Sequence, residues 1–269
     1  MIDYRITPVS IREVVHVVML RELVGRIGAD SFVLKGGVNL RLYFASARYS
    51  QDMDLDGEPS LSHQIRDVIG GFFASREVGE LLRQVGIREL DPGEGPSKDT
   101  ETTFRYKFHI VGAGSIRYST KVEVSYRDRH PDDESTVDPV ANETIGKYLA
   151  DEQVEVRHYL RVPALRQKIA ALAGRATPQT RDVFDIYMLL RGARETVAHA
   201  RLRTVLSDDQ LDEAMNHAYQ LTYESFRGQV LEFLDEEDVS RFDSAEEWDE
   251  IRLETIDFIE KIAATEAGG

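Results

Sequence analysis

One stretch of the sequence, residues 32–56, limits the possible folds more than any other. An apolar strand from Phe32 to Leu34 leads through Gly36 and Gly37 into an amphipathic helix from Val38 to Phe44. Glycine lets the backbone approach a ligand without a Cβ atom, and the free N–H groups at a helix N-terminus favour phosphate. The segment predicts a phosphate-binding turn, with a purely structural turn that needs positive φ as the alternative.

Two carboxylates follow on the next predicted strand. Asp52 and Asp54 alternate with Met53 and Leu55, so both acidic side chains project from one face while the apolar pair packs inward. Mg²⁺ takes one or two carboxylates together with substrate phosphates and water. We therefore expect a Mg²⁺ site near the glycine turn, with Mn²⁺ as the alternative ion and a solvated acidic strand as the alternative without metal.

The composition suits a soluble protein, and the charge is unevenly distributed. The chain contains no cysteine, which excludes disulfides, thiolate zinc sites and cysteine nucleophiles. Neither a membrane span nor a signal peptide is recognisable, so a cytoplasmic protein is expected. Residues 205–269 hold 19 acidic and four basic residues, which account for the whole net charge of −15. Residues 155–192 hold seven basic and three acidic residues. The net negative charge of the chain therefore does not represent the local charge near the expected site.

Helical periodicity predicts several further elements. Ser10 and Glu13 match a capping box at the start of a helix that runs to about Ile27. Further helices are predicted over residues 61–75, with a continuation toward 82, over 164–173 and over 181–190. From residue 207 to 264, helices alone are predicted. A loop is predicted over residues 91–98.

The sequence divides into two halves of different character. Alternating runs over residues 102–110 and 116–126 predict a β-hairpin. The polar loop from Arg127 to Asp138 is the best boundary between an α/β domain, residues 1–130, and a helical domain with an acidic C-terminal region, residues 131–269. The expected class is α+β, with an N-terminal mixed sheet and helices followed by an all-helical half.

Glu123 is a further candidate in the predicted hairpin. It alternates with Val122 and Val124 and could supply a third carboxylate to the metal. Pairing with Arg105 or Lys107 across the hairpin is the alternative.

Candidates also lie in the helical half. Lys168 and Arg175 are two helical turns apart and share a face, as do Asp182 and Asp185, which are three residues apart. An ordinary snorkelling lysine and a solvated basic face are the alternatives.

Three motifs occur together: Leu-Lys-Gly-Gly-Val-Asn-Leu-Arg at residues 34–41, Arg-x-Ser-x-Asp-x-Asp-Leu at 48–55, and Lys168-x6-Arg175 followed by Arg-Asp-x-x-Asp-Ile-Tyr at 181–187. Their order and spacing resemble the AbiEii nucleotidyltransferase toxins, which include mycobacterial toxins that modify tRNA. These belong to the DNA polymerase β-like nucleotidyltransferase superfamily, so the resemblance implies a nucleotidyltransferase-like first domain.

The resemblance also implies roles for matching residues. The implied catalytic residues are Asp52, Asp54, Lys168 and Asp185, with Asp182 as a weaker candidate for the role of Asp185. The implied nucleotide-binding residues are Lys35, Gly36, Gly37, Ser50 and Arg175, and the metal ligands are Asp52 and Asp54, with Glu123 as the third candidate. Since these residues come from both halves, the active site is expected in the cleft between them.

The activity implied by the resemblance is transfer of a nucleoside monophosphate from an NTP, with Mg²⁺, to the 3′ acceptor end of tRNA, which blocks translation. The basic bias of residues 155–192 and of the hairpin suits an RNA backbone. A cognate antitoxin and a role in bacterial growth control or phage defence are implied by resemblance alone.

Three other functions remain open on the sequence. The same site could nucleotidylate or phosphorylate a protein hydroxyl, because phosphate and metal binding do not determine the acceptor. An Asp-x-Asp glycosyltransferase is a second alternative, although its motif typically lies deeper in a nucleotide-binding domain. A non-enzymatic interaction module, whose helical half and acidic tail bind a partner, is the third.

Overall fold

The computed structural model describes residues 6–127, 132–141, 153–191 and 199–265. The chain packs as two compact units that are both discontinuous in sequence. The first unit comprises Met1–Tyr43 and Tyr49–Tyr159, and the second comprises Phe44–Arg48 and Leu160–Gly269.

The first unit is built on one mixed sheet of eight strands. They are β1 Phe32–Lys35, β2 Met53–Gly57, β3 Glu89–Asp91, β4 Pro96–Asp99, β5 Thr103–Val111, β6 Arg117–Ser125, β7 Ser135–Pro139 and β8 Glu155–Tyr159. The strand order is β3-β5-β6-β2-β1-β8-β7, and β4 also pairs with β5. Strand β2 runs antiparallel to β1 and parallel to β6. Asp54 therefore lies between two neighbouring strands in the interior of the sheet, and Asp52 directly precedes its strand.

One face of this sheet forms the core of the first unit. Among the described residues, the helices of this unit are α1 Ile11–Ile27, α2 Gly36–Tyr43, α3 Ser62–Phe72 and α4 Arg76–Gln84. Helix α1 packs against α3, and their apolar side chains join alternate residues of β5 and β6, such as Phe104, Phe108 and Val122, in one buried cluster. The intervening residues of the hairpin are polar and lie on the opposite face, so the two faces have the alternating character that the sequence predicts.

In the described residues, the second unit consists of helices. These are α5 Arg161–Gly174, α6 Thr180–Arg191, α7 His199–Arg203, α8 Asp208–Gln220, α9 Tyr223–Gln229, α10 Glu236–Phe242 and α11 Ala245–Ala264. Helix α11 packs against α6, α7, α8 and α9, and Trp248 stacks on Phe226 with 4.8 Å between ring centroids. The α+β class, with a mixed sheet followed by an all-helical half, is confirmed.

The N-terminus of α1 differs from the predicted capping box. Ser10 already has helical dihedral angles, φ −80° and ψ −16°, and makes no side-chain cap bond. Its hydroxyl instead accepts a hydrogen bond from the backbone N–H of Thr7 at 2.9 Å. Glu13 accepts from Arg41 Nε at 2.8 Å. A local contact therefore uses the Ser10 side chain and a tertiary contact uses that of Glu13, so the capping-box prediction is wrong.

Two strands appear where the sequence predicts loop and irregular chain. Strands β7 and β8 pair antiparallel, and β8 also pairs parallel with β1 at Leu34 and His158. Both strands follow residue 130, yet they complete the sheet of the first unit. The predicted boundary between residues 130 and 131 itself lies outside the described residues, so the division at that point stays a prediction.

Smaller differences concern the predicted helix over residues 61–75 and the loop over 91–98. The helix ends at Phe72, and a separate helix α4 begins after Ser75, whose hydroxyl accepts from the N–H of Val78 at 3.3 Å. The loop is partly strand, because Asp91 ends β3 and β4 begins at Pro96. Over the described residues, none of the helices is both long and apolar enough to cross a membrane.

A buried histidine makes the stability of the first unit dependent on pH. His16 on α1 lies 2.9 Å from Thr120 Oγ1, whose hydroxyl donates to the carbonyl of Gln51 at 2.7 Å. His16 Nε2 is therefore the donor to Thr120. Burial, assisted by the charge of Arg12, lowers the pKa of His16 to about 3.

We predict that His16→Gln reduces the loss of stability in mild acid. Between the ordinary pKa of about 6.5 and the native value, the unfolded chain binds a proton that the folded chain excludes, so the free energy of unfolding falls as pH falls. From pH 7 to pH 5 this amounts to about 2 kcal/mol. Urea denaturation of both proteins at the two pH values measures the difference; equal losses would contradict it.

Candidate active site

The first unit presents Asp52 and Asp54 at one end of β2. Met53 and Leu55, which alternate with them, are fully buried, so the apolar pair fixes the strand in the core as predicted. The side chains of Asp52 and Asp54 are 29% and 35% exposed. Both carboxylates therefore combine a rigid backbone with access to a ligand.

The glycine turn lies directly against Asp54. Gly36 has φ +70°, and a Cβ atom at this position would lie 2.9 Å from Asp54 Oδ2. Helix α2 begins at Gly36 itself, so the two glycines form its first turn and not a separate loop before Val38. The predicted juxtaposition of the glycines, a helix N-terminus and the second carboxylate is present.

Lys121 on β6 lies among three carboxylates. Its Nζ is 3.4 Å from Asp52 Oδ2, 3.8 Å from Asp54 Oδ1 and 3.5 Å from Glu123 Oε2. Burial raises the pKa of Asp54, although the ammonium of Lys121 opposes this effect. Lys121 was not among the predicted site residues. The parallel register pairs Asp54 with Glu123, so Lys121, two residues before Glu123 on β6, lies close to the aspartates.

Glu123 is held by cations. Arg105 Nε donates to Glu123 Oε2 at 2.6 Å across the hairpin, as in the alternative that the sequence left open. Burial tends to raise the pKa of Glu123, but Arg105 and Lys121 outweigh it and lower the pKa. Among the residues that the structure describes, no three His, Asp or Glu side chains are grouped to hold a metal ion. Asp52 and Asp54 remain a two-carboxylate donor set, which is the set that Mg²⁺ accepts with substrate phosphates and water.

Lys35 and Ser50 have structural partners next to these carboxylates. Lys35 forms an ion pair with Asp56, and Asp56 also accepts from the hydroxyl of Tyr159 at 2.9 Å. The Ser50 hydroxyl donates to the backbone carbonyl of Asp52 at 2.8 Å, which closes the turn that leads into β2. Direct binding of a nucleotide by Lys35 or Ser50 stays a prediction.

The second unit contains a buried charge network around Asp185 on α6. Asp182 and Asp185 are both fully buried. Lys168 Nζ on α5 is 2.6 Å from Asp185 Oδ2 and 3.4 Å from Asp182 Oδ1. Arg175 Nε is 2.6 Å from Asp182 Oδ2. The helices therefore bring together the four candidates predicted in this half.

Arg48 is a member of this network that the sequence reading did not assign. Its guanidinium donates to both carboxylate oxygens of Asp185, with the two Nη2 contacts at 2.9 Å. Burial tends to raise the pKa of Asp185, but Arg48 and Lys168 outweigh it and lower the pKa. Arg48 stands in the Arg-x-Ser-x-Asp motif, but its partner lies 137 residues away. The motif was the only signal for it.

The network has one positive charge in excess. Arg48, Lys168 and Arg175 face two carboxylates, and Arg175, with 39% of its side chain exposed, is the most accessible of these cations. Lys168 is 13% exposed. A cation that buried aspartates hold in place can contact a phosphate without reorganising.

We predict that Arg48→Met costs about 3 kcal/mol of stability, because removing one partner leaves buried negative charge only partly compensated by Lys168. The matched control is Arg76→Met, which breaks an exposed arginine–carboxylate pair with Glu80 on α4. That change should stay within about 0.5 kcal/mol. Urea denaturation measures both, and similar losses in the two variants would show that the buried pair contributes no special stability.

Comparison with known proteins places these two units in a family. A family model described as nucleotidyl transferase AbiEii toxin, type IV TA system, matches residues 18–264. Among curated proteins, no significant match is found.

Solved structures share the fold at low sequence identity. JHP933 from Helicobacter pylori is 18% identical with a TM-score of 0.50, covering 93% of this chain and 91% of its own. A putative nucleotidyltransferase from H. pylori is 16% identical with a TM-score of 0.50, and the coverage is 94% and 93%. MenT4, a nucleotidyltransferase toxin from Mycobacterium tuberculosis H37Rv, is 16% identical with a TM-score of 0.51, and the coverage is 92% and 82%. With the family match over nearly the whole chain, the conclusion is that this protein belongs to the AbiEii nucleotidyltransferase toxin family.

Proposed function

We propose that the protein transfers a nucleoside monophosphate from an NTP, with Mg²⁺, to the 3′ acceptor end of tRNA and so blocks translation. The observation that carries the proposal is the close approach of Gly36, at the start of α2, to Asp54: a Cβ atom added at Gly36 would lie 2.9 Å from the Asp54 carboxylate. A helix N-terminus that binds phosphate thereby adjoins two carboxylates that suit a divalent ion.

In the proposed reaction, the acceptor hydroxyl oxygen forms a bond to the α-phosphorus while the bond to pyrophosphate breaks and the hydroxyl proton is released. Asp52 and Asp54 would hold Mg²⁺, and the bound ion would stabilise charge on the oxygens that attack and leave. The N–H groups of the Gly36-Gly37 turn hold phosphate oxygens. Lys168 and Arg175 offset negative charge on the phosphates, while Asp185 and Asp182 hold these two cations in place. Participation of the helical residues at the same centre stays part of the proposal.

The polar face of the hairpin supports a nucleic acid as the acceptor. Lys107 on β5 is exposed and lies directly opposite Lys121 on β6, an arrangement of like charges that disfavours the sheet. No ion pair of Lys107 occurs within the described part of the chain. Lys121 in turn lies 3.4 Å from Asp52. An exposed cation at the position of Lys107 is therefore suited to contact the phosphate backbone of a nucleic acid.

Family membership supports the remaining proposals about cellular role. The family description places its members in type IV toxin–antitoxin systems. We infer a cognate antitoxin, action in the bacterial cytoplasm where tRNA is found, and a role in growth control or phage defence. Transfer to a protein hydroxyl is the alternative acceptor chemistry, since the site geometry does not determine the acceptor.

The decisive experiment supplies purified protein with each labelled NTP, total tRNA and Mg²⁺ or Mn²⁺. We expect label on the tRNA 3′ end, lost after chelation of the metal and reduced at least about 100-fold by Asp52→Asn, which removes a charge that stabilises the transition state. Glu89→Gln, on the exposed edge strand β3, is the matched control and should retain activity. Expression in cells should arrest growth for the wild type and the control but not for Asp52→Asn.

The outcomes separate the alternatives. Label on protein alone would favour modification of a protein hydroxyl. Absence of transfer to any acceptor, together with toxicity that Asp52→Asn leaves unchanged, would support a non-enzymatic interaction module.

We further predict that Lys107→Met weakens tRNA binding about fivefold at 0.1 M salt and lowers the salt slope of binding by about one, because one phosphate contact is lost. Lys261→Met on α11, which breaks an exposed pair with Asp257, is the control. Fluorescence anisotropy in the Asp52→Asn background measures binding without turnover. Equal tRNA affinities for all proteins would show that the hairpin face does not bind the acceptor.

A further inference from the structure

The ammonium group of Lys121 lies close to Asp52 and Asp54, the two carboxylates that are proposed to hold the metal ion, and to Glu123 beside them. It lies 3.4 to 3.8 Å from Asp52, Asp54 and Glu123. These distances exceed the 2.7–2.9 Å or so of a tight charge-assisted hydrogen bond. Arg105, by contrast, pairs closely with Glu123 at 2.6 Å. Lys121 therefore forms a close ion pair with none of the three carboxylates, and its positive charge acts on all of them.

This position has a physical purpose in the metal-free protein. Asp52 and Asp54 project from the same face of one strand, and Glu123 pairs with Asp54 in the parallel register. Like charges held this close destabilise one another. An ammonium close to all three offsets that repulsion, and a divalent ion held by Asp52 and Asp54 would offset it in the same way.

We propose that Lys121 is a resident counter-ion that a divalent metal must displace, so that it organises the two aspartates beforehand and sets a low affinity for metal alone. Lys121 is thus a positioning residue. The proposal rests on the metal site of the proposed function and adds a residue that controls how that site is filled.

Displacement also links the metal to the nucleotide. An ammonium displaced from these carboxylates would still lie near Asp54, whose other oxygen adjoins Gly36 of the proposed phosphate-binding turn, and a triphosphate there would provide its replacement partner. Metal and NTP should therefore increase each other's affinity, and by linkage the factor is the same in both directions. The protein would bind Mg²⁺ weakly until a nucleotide is present.

Mn²⁺ titration followed by electron paramagnetic resonance tests the proposal directly, without turnover. The wild type is compared with Lys121→Met and with Lys107→Met, with and without a non-hydrolysable NTP analogue. Lys107 is a matched control, because it is the same residue type on the same rung and faces Lys121 across the hairpin. It has no ion pair in the described residues.

We expect Lys121→Met to tighten Mn²⁺ binding without nucleotide at least fivefold, and to reduce the factor by which the analogue improves it. Without metal, the Lys121→Met variant should also have a lower melting temperature than the wild type. Addition of Mn²⁺ should remove this difference. Lys107→Met should change Mn²⁺ affinity by less than twofold. Lys121→Arg, which keeps the charge, should bind Mn²⁺ as weakly as the wild type, and circular dichroism confirms that each variant is folded.

Other outcomes overturn the proposal in distinguishable ways. If Lys121→Met and Lys107→Met bind Mn²⁺ more tightly by the same factor, the effect comes from the overall positive charge of the hairpin and not from the position of Lys121. Weaker Mn²⁺ binding by Lys121→Met would mean that the lysine supports the metal and does not compete with it. If the wild type binds no Mn²⁺ even with the analogue, the proposed metal site fails, and this inference fails with it.

Discussion

The register between β1, β2 and β6 is the constraint on which the candidate site depends. Antiparallel pairing of β1 with β2 sets Lys35 opposite Asp54, which brings the next residue, Gly36, against the Asp54 carboxylate. Parallel pairing of β2 with β6 sets Asp54 beside Glu123. A slip of one residue in either pairing would turn the aspartates toward the core. Buried Met53 and Leu55 prevent that slip, because they would have to leave the core, so packing on one face of the sheet fixes chemistry on the other.

Charge in this protein is arranged differently in the two units. In the first unit, cations surround carboxylates that remain partly exposed, and Lys121 and Arg105 moderate a negative site. In the second unit, Asp182 and Asp185 are buried and the cations around them carry the accessible charge. The carboxylates of the first unit are suited to bind a cation, whereas those of the second are suited to hold cations for an anion.

The sequence predicts those parts of the fold in which a local pattern decides the outcome. Helix α11 lies in the region predicted to be helical, and the hairpin alternates as predicted, because one packed face enforces each pattern. Strands β7 and β8 are missed, since they are short and gain their partners only when β8 pairs with β1. Ser10 fails as a cap because its hydroxyl bonds locally to Thr7, just before the helix. Arg48 is not assigned because its partner, Asp185, lies 137 residues away. The family motifs predict site residues, but they do not show which residues neutralise them; Lys121, close to Asp52, Asp54 and Glu123, is in none of the motifs.

The short segment Phe44–Arg48 has an evolutionary consequence. It belongs with the helical unit although the chain before and after it belongs with the sheet, and its buried Arg48 pairs with Asp185. Neither unit is therefore a contiguous stretch of the gene. Recombination that exchanged residues 160–269 for another helical region would leave Arg48 buried without its carboxylate, a costly defect. Within this family, the two units should be inherited together, and a change of substrate should arise by point substitution and not by domain shuffling.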